Sequence, residues 1–362
     1  MRWMSDHHES QLLLAVLQGR WEHFDRLIGE RAPDASAFLR LARECDVFPY
    51  VHARLAESGR LAACPAEVAE TLAAWRHKTR IDNLVLLDRT EAGLDALLAA
   101  GVVPLALKGL DLLHRAYGSF DERTLDDVDL LIRHEDLHAC LDALAGAGWG
   151  DLPQGQRDHY LRSSHHLPLP HPGPPQVDFE IHWNLAQTGR FRIAPEGLFE
   201  RAQPLTVSGR EILRMDDHDL VAHLLLHHFT HYFDRRMKWS VDMHWLVSRP
   251  GFDWSRVCER LHEWGATAAS GMSIKHLRKV FPDWIPASAE REVPVAAWRN
   301  LLTAPLRSSH PLDMFLASRN RRIQLYLAAV LMENPLAVPG WLIHRMRRDR
   351  QPELSPLENS KE

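Results

Sequence analysis

Residues 122–133 read E-R-T-L-D-D-V-D-L-L-I-R, with carboxylates placed at the start of an apolar run. The alternation of apolar residues at Val128 and Leu130 is typical of a β-strand with one face in a core. Asp127 and Asp129 then share the opposite face, with Cα atoms roughly 6 to 7 Å apart. Proteins usually hold Mg²⁺ through one or two carboxylates together with substrate phosphates. The stretch therefore predicts a divalent-cation site, although a solvated strand face or a helix-capping pair would also explain the two acids.

On either side of this strand the sequence alternates between strand and helix patterns, which is typical of a small α/β unit. Before it, V-V-P-L-A-L-K-G at residues 102–109 predicts a short buried strand that ends in a Lys-Gly turn. After it, we predict a helix over about 135–147, strands over 165–169 and 177–183, and a hairpin over about 205–215. The turn-forming segment P-H-P-G-P-P separates the two later strands.

Helical spacing of apolar residues dominates the rest of the chain. N-terminal to the α/β unit we predict helices over 9–29, 34–44 and 48–59, and a long helix over 65–100 that is continuous or broken near Gly93. C-terminal to the unit we predict a second series of helices, over 216–232, 239–247, 254–264, 266–281, 312–333 and 336–349. The fold class that follows is α+β and helix-rich.

These elements divide the chain into four predicted regions. They are an N-terminal helical region at 1–100, an α/β core at 101–215, a C-terminal helical region at 216–350 and a disordered tail at 351–362.

Composition narrows the class of function. The chain has 362 residues, of which 45% are hydrophobic and 25% charged, so it is globular in composition. A formal net charge of -5 disfavours nucleic acid as the main partner. The four widely spaced cysteines, and the lack of a signal peptide or a membrane-length apolar run, predict a cytoplasmic protein with reduced thiols. The oligomeric state is left open.

A third carboxylate is expected in V-D-F-E-I-H-W at residues 177–183, where Asp178, Glu180 and His182 share one strand face. Glu180 lies in the middle of that strand, where an unpaired charge is costly unless something binds it. Glu180 is therefore our predicted third metal ligand. Asp178, which is nearer the strand end, is the alternative.

Phosphate groups need hydrogen-bond donors, and the L-K-G turn offers several. Gly109 allows close backbone approach, the helix after it offers N-terminal amides, and Lys108 supplies a point charge. Arg123, in the loop before the acidic strand, offers a forked donor for the same phosphates.

Four segments together resemble a known family. The similarity covers about residues 97–247 and lies in L-A-L-K-G (105–109), R-T-L-D-D-V-D-L-L-I-R-H-E-D-L (123–137), F-E-I-H-W (179–183) and K-W-S-V-D-M-H-W-L (238–246). These segments resemble the uncharacterised nucleotidyltransferase family within the DNA polymerase beta-like superfamily. The superfamily usually has a Gly-Gly or Gly-Ser turn, where this chain has Lys108 and Gly109 followed by Leu110.

The resemblance implies a small mixed sheet with helices on one side and Mg²⁺ bound by Asp127, Asp129 and Glu180. It implies transfer of a nucleoside monophosphate from an NTP, such as ATP, to a hydroxyl or phosphate of a small molecule or peptide, with release of pyrophosphate. Lys108 and Arg123 would hold the departing phosphates. A catalytically idle protein of this fold, binding a nucleotide or partner as a sensor or scaffold, is the alternative. Transfer to a protein or to a tRNA end is a third option.

The histidines allow separate hypotheses. His223, His227 and His231 recur on one helix face, where they could share zinc, pack between helices or line the acceptor side of the cleft. The pair His218 and Asp219 invites comparison with His-Asp phosphohydrolases, but the other ligands of that class are not evident.

Three further charged residues have simple structural explanations. Asp126 is interpreted as a loop acid, with a place beside the metal as the alternative. Lys238 and Asp242, one helical turn apart, are expected to form an i, i+4 pair or to position the acceptor.

Overall fold

The computed structural model describes residues 7–150, 152–171, 178–186, 190–231, 236–308, 312, 320–334 and 338–341. The tail predicted at 351–362 lies outside the described residues, as does most of the helix predicted over 336–349. Within the described part, helices surround one mixed β-sheet, which confirms the α+β, helix-rich class.

The N-terminal region begins with four short helices. They are α1 (His7–Gln18), α2 (Trp21–Glu30), α3 (Ala35–Glu44) and α4 (Phe48–Glu57), followed by a 3₁₀ turn at Leu61–Ala63. The single helix predicted over 9–29 was wrong, because Gly19 adopts a φ of +66° and ends α1. Its amide donates to the carbonyl of Val16 at 3.1 Å, closing the last turn.

Helix α5 (Ala66–Ala99) runs without a break through Gly93. A Cβ at Gly93 would lie 2.2 Å from the ring of Phe179, so the glycine is where the helix approaches the sheet most closely. Gly93 therefore serves packing and does not interrupt the helix.

Six strands form the sheet in the described residues. They are β1 (Leu105–Ala106), β2 (Val128–Leu131), β3 (His166–Pro170), β4 (Asp178–His182), β5 (Gln203–Val207) and β6 (Arg210–Arg214). The order across the sheet is β3-β4-β2-β1-β6-β5. Strand β2 pairs in parallel with β4 and antiparallel with β1, so the two strands that carry the predicted acids are neighbours.

Short helices connect the strands. They are α6 (Lys108–Arg115), a 3₁₀ turn at His134–Asp136, α7 (Leu137–Gly146), α8 (Gln154–Ser163) and α9 (Pro195–Glu200). Helix α8 was not predicted, because its sequence is mostly polar and Tyr160 is its one buried residue.

C-terminal to the sheet, the described residues form a series of helices. They are α10 (Asp217–Thr230), α11 (Lys238–Val247), α12 (Trp254–Glu263), α13 (Thr267–Val280), α14 (Ala287–Glu292), α15 (Ala297–Thr303), a 3₁₀ turn at Ala304–Leu306 and α16 (Arg321–Leu331).

The sheet is covered on both faces. Val128, Leu130 and Ile132 enter one apolar cluster with α5 and α7, as the alternation predicted. Leu131 and Leu107 enter a second cluster, which joins the N-terminal helices to the C-terminal helices. Because successive strand residues point to opposite faces, the two clusters lie on opposite sides of the sheet. The family resemblance implied helices on one side of the sheet only. The structure corrects this expectation, because helices pack against both faces.

The four cysteines are free. Among the described residues, no helix combines the length and the apolar character that crossing a bilayer requires.

Candidate functional site

Two of the predicted acids face each other across neighbouring strands. Asp129 on β2 and Glu180 on β4 are register partners, so their side chains leave the same face of the sheet. His182, two residues after Glu180, projects from that face too. Its Nε2 atom lies 3.0 Å from Oδ1 of Asp129 and 3.6 Å from Oε2 of Glu180. Ligand atoms of these three side chains lie within 4.8 Å of one another, close enough to share one metal ion.

Lys108 completes this constellation, which we call the acid group: Lys108, Asp129, Glu180 and His182. Its Nζ atom lies 2.7 Å from Oδ1 of Asp129. Lys108 is the first residue of α6 and has a φ of +45°, a region that side-chain-bearing residues rarely adopt. Strain of this kind persists only where the surroundings hold it in place, and it concentrates at functional sites.

The other two candidate acids lie at the edge of the acid group. Asp127 precedes β2 and is half-buried, and its charge contributes to raising the pKa of Lys108. Asp178 is the first residue of β4, opposite Pro170 on the outer strand β3. Among the described residues, the sets of ligand atoms close enough to share an ion include neither Asp127 nor Asp178. The role of Asp127 as a metal ligand stays a prediction.

The charges of the acid group stabilise one another. Burial favours the neutral form of Asp129, but the charge of Lys108 and a hydrogen bond from His182 outweigh burial and lower its pKa. Burial opposes ionisation of Glu180 as well, yet His182, His166 and Lys108 hold its pKa well below the usual range. In return, although burial disfavours its charge, hydrogen bonds to both carboxylates raise the pKa of His182. Both carboxylates are thus ionised near neutral pH.

Further histidines surround the acid group and are neutral. Burial, with the charges of His182 and Lys108 among the smaller contributions, lowers the pKa of His166 to about 4. Burial, together with the charges of Lys108 and His182, lowers the pKa of His223 on α10 to about 3.

The histidines of α10 form a ladder, as the i, i+4 spacing predicted. The rings of His223 and His227 lie 5.8 Å apart and those of His227 and His231 lie 4.3 Å apart, with Trp239 against the last two. Among the described residues, this set does not occur as a cluster with ligand atoms close enough for a metal. The ring contacts favour packing over zinc binding, and a place on the acceptor side of a cleft stays a prediction.

Arg123 is engaged elsewhere. Its Nε and Nη2 atoms donate to the two carboxylate oxygens of Asp242 at 2.8 and 2.9 Å, and its Nη1 donates to the carbonyl of Thr124. Tyr117 donates to the same carboxylate at 2.6 Å. We call Arg123, Asp242 and Tyr117 the arginine clamp. The structure does not bring the guanidinium to the acids, so its predicted phosphate contact stays a prediction.

Gly109 packs against side chains of the protein, whereas the sequence predicted that it leaves room for a phosphate. A Cβ at Gly109 would lie 2.7 Å from Cδ2 of Leu125 and 2.8 Å from Nη1 of Arg123. The space that the missing side chain leaves is therefore filled by the loop that carries the arginine clamp. The glycine permits close approach of protein, where the sequence suggested close approach of a phosphate.

The pair expected between Lys238 and Asp242 is replaced by longer-range contacts. Lys238 binds Asp46 at 2.5 Å and Asp126 at 2.7 Å, while Asp242 belongs to the arginine clamp. The i, i+4 pair was therefore wrong. Asp126 is a loop acid, as interpreted, and its partner is this lysine.

His218 and Asp219 are structural. Asp219 is buried between Arg201 and Arg260, at 2.8 and 3.0 Å. His218 instead contacts Asp216, the residue that caps α10. These contacts do not resemble a His-Asp hydrolase site.

Neither His182 nor His166 was predicted to belong to the site. The signal for His182 was present, because strand alternation places it on the face of Glu180. His166 is the register partner of His182 across β3 and β4. No local sequence pattern predicts this pairing, because register depends on how two separate strands align.

Comparison with known proteins supports one family. The model of a family described as "Uncharacterised nucleotidyltransferase" matches residues 31–282, which include the sheet and helices on both sides of it. No curated protein and no solved structure matches the chain.

Proposed function

We propose, because this chain belongs to the uncharacterised nucleotidyltransferase family, that it transfers a nucleoside monophosphate from an NTP to an acceptor and releases pyrophosphate. The acceptor group is a hydroxyl or phosphate on a small molecule or peptide. The observation that carries the proposal is the register pairing of Asp129 with Glu180, which aligns two ionised carboxylates on one sheet face.

The acid group fits a divalent cation. Ligand atoms of Asp129 and Glu180 lie within 4.8 Å of each other, and the ammonium of Lys108 lies 2.7 Å from Asp129. Asp129 and Glu180 would hold Mg²⁺, and Asp127, at the edge of the acid group, would be the remaining ligand. When bound, Mg²⁺ would offset the charge that develops on the phosphates of the NTP.

The protein side chains have separate roles in this proposal. Lys108 is the first residue of α6, and its ammonium contacts Asp129. In the proposed reaction the ammonium would move from Asp129 to a phosphate oxygen of the NTP, near the N-terminal amides of the helix. The proton of the attacking hydroxyl would pass to Glu180, or the acceptor would lose it on binding the metal. The neutral imidazoles of His223 and His227 would line the acceptor side of the cleft, without adding charge.

The test is pyrophosphate release by the purified full chain, supplied with Mg²⁺, each labelled NTP and a panel of acceptors. Asp129→Asn and Glu180→Gln keep the side-chain shape and remove the charge. We expect each to lower the rate by about 10² or more, as for other groups that act on developing charge. The matched control is Glu135→Gln, an exposed acid outside the site, which should leave the rate unchanged. A wild-type rate in Asp129→Asn would contradict the proposal.

One observation favours the idle alternative as a second candidate. Lys108 and His182 already supply positive groups to the two carboxylates, so the acids are balanced within the protein. A sensor or scaffold could use this balanced site to bind a nucleotide without chemistry. Calorimetry that shows tight NTP binding, with mass spectrometry that shows no modified acceptor, would favour the sensor. Pyrophosphate release that depends on a defined acceptor would eliminate it.

A further inference from the structure

A second set of ligand atoms lies next to the acid group. His165, His166 and His182 offer ring nitrogens within 4.8 Å of one another. Their ring centroids are 4.6 Å apart for His165 and His166, 5.1 Å for His166 and His182, and 5.9 Å for His165 and His182. The sheet register holds this arrangement, because His166 and His182 are partners across β3 and β4.

The internal contacts of these histidines leave ligand capacity. His166 Nδ1 lies 3.4 Å from His165 Nε2, at the long end of the hydrogen-bonding range. His182 is 5% exposed, and in the described part of the chain its Nδ1 atom has no hydrogen-bond partner. A buried polar atom without a partner is unfavourable unless a water or an ion satisfies it. His165 and His166 are half-buried, so an ion can reach the set from solvent.

Nitrogen ligands select a different metal from the one that oxygen ligands select. Imidazole suits Zn²⁺ and neighbouring transition ions, whereas Mg²⁺ prefers carboxylate, carbonyl and water oxygens. Three protein ligands with one open position are the arrangement of catalytic zinc sites. The carboxylates of Asp129 and Glu180 lie beside this set and attract a cation, which would share their charge with Lys108 and take the place of the proton on His182.

We propose that His165, His166 and His182 form a second cation site, lined by nitrogen, which binds Zn²⁺ or a similar transition ion in preference to Mg²⁺. His182 belongs to this site and to the acid group, so an ion here would lie beside the carboxylates. The site does not depend on the transfer reaction, and its occupancy can be measured without any nucleotide.

The test uses the metal-free full chain, titrated with Co²⁺ and followed by its visible absorption, with Zn²⁺ competition to measure affinity. We expect one equivalent to bind and an excess of Mg²⁺ to leave it in place. His165→Ala and His166→Ala should each weaken binding at least about tenfold, since even indirect supports of a metal site contribute that much. Both positions are half-buried, and circular dichroism would verify that the variants fold.

Two control variants distinguish the sites. His138→Ala removes an exposed histidine and should leave Co²⁺ affinity unchanged. Asp129→Asn removes the carboxylate that contacts His182 and should weaken Co²⁺ binding less than the loss of a histidine ligand does, even where it abolishes transfer. Unchanged affinity in both histidine variants would overturn the proposal, as would a sulfur-to-cobalt charge-transfer band, which would assign the ion to a cysteine. Absence of transfer in the wild-type protein would affect the proposed function alone.

Discussion

The acid group and the arginine clamp are both buried clusters of opposite charges, and they begin only a few residues apart in the chain. In the clamp, both oxygens of Asp242 and all the nitrogen positions of Arg123 have partners. In the acid group, His182 is shared between two carboxylates and Lys108 has a strained backbone. A fully paired cluster fixes structure, whereas a strained and shared one can exchange partners. The comparison assigns architecture to the clamp and chemistry to the acid group.

The largest expected effect tests the clamp. Asp242→Ala would leave the Arg123 guanidinium buried without its counter-charge, and we expect the free energy of unfolding to fall by about 3 to 5 kcal/mol. Urea unfolding followed by tryptophan fluorescence would measure it.

Asp129→Asn is the matched comparison from the acid group, and it should reduce the free energy of unfolding by less than half as much. His182 can lose its proton, and Glu180 and Asp127 still act on Lys108. Equal losses in the two variants would break the distinction between the clusters.

The next largest expected effect is a dependence of the free energy of unfolding on pH, caused by His223. Burial lowers the pKa of His223 from 6.5 to about 3, so between these values the unfolded chain binds a proton that the folded chain does not. Stability is therefore unaffected above about pH 6.5 and falls as the pH drops. At pH 5 the difference from pH 7 should be about 2 kcal/mol for this residue.

The measurement is urea unfolding at pH 7 and pH 5 for the wild-type protein and for His223→Gln. The variant should lose less stability between the two pH values. Tyr117→Phe, in the clamp, is the control and should retain the full wild-type difference. Identical pH dependence in wild type and His223→Gln would contradict the environment described for this histidine.

The smallest effect concerns the backbone of Lys108. Lys108→Gly and Lys108→Ala both remove the ammonium, but only glycine adopts a φ of +45° without strain. We expect the glycine variant to be more stable than the alanine variant by about 1 kcal/mol, as judged by urea unfolding. Both should lose transfer activity to a similar extent. A more stable alanine variant would show that the left-handed backbone does not persist in solution.

Much of the fold could be read from local patterns. Alternation placed Val128 and Leu130 on the core side of β2 and Asp129 on the other, because side-chain direction in a strand repeats every two residues. Helical spacing predicted the helices on both sides of the sheet. The helix break at Gly19 was missed because apolar periodicity continues across it, while one residue with positive φ suffices to end a helix.

The sequence by itself determined which residues are acidic, which face of each strand they occupy and which family the chain resembles. Only the tertiary structure decided which residues become neighbours. These pairs are Asp129 with Glu180, His166 with His182, and Arg123 with Asp242. The periodicity of apolar residues is a property of a single strand or helix. It does not specify the register between two strands, nor which helix packs against a given loop. Arg123 is an example. Because it lies four residues before Asp127 in the chain, the sequence predicted that its guanidinium contacts the phosphates of a nucleotide bound at the acids. Its guanidinium lies instead against a carboxylate that the chain supplies from α11, because a buried guanidinium needs a counter-charge.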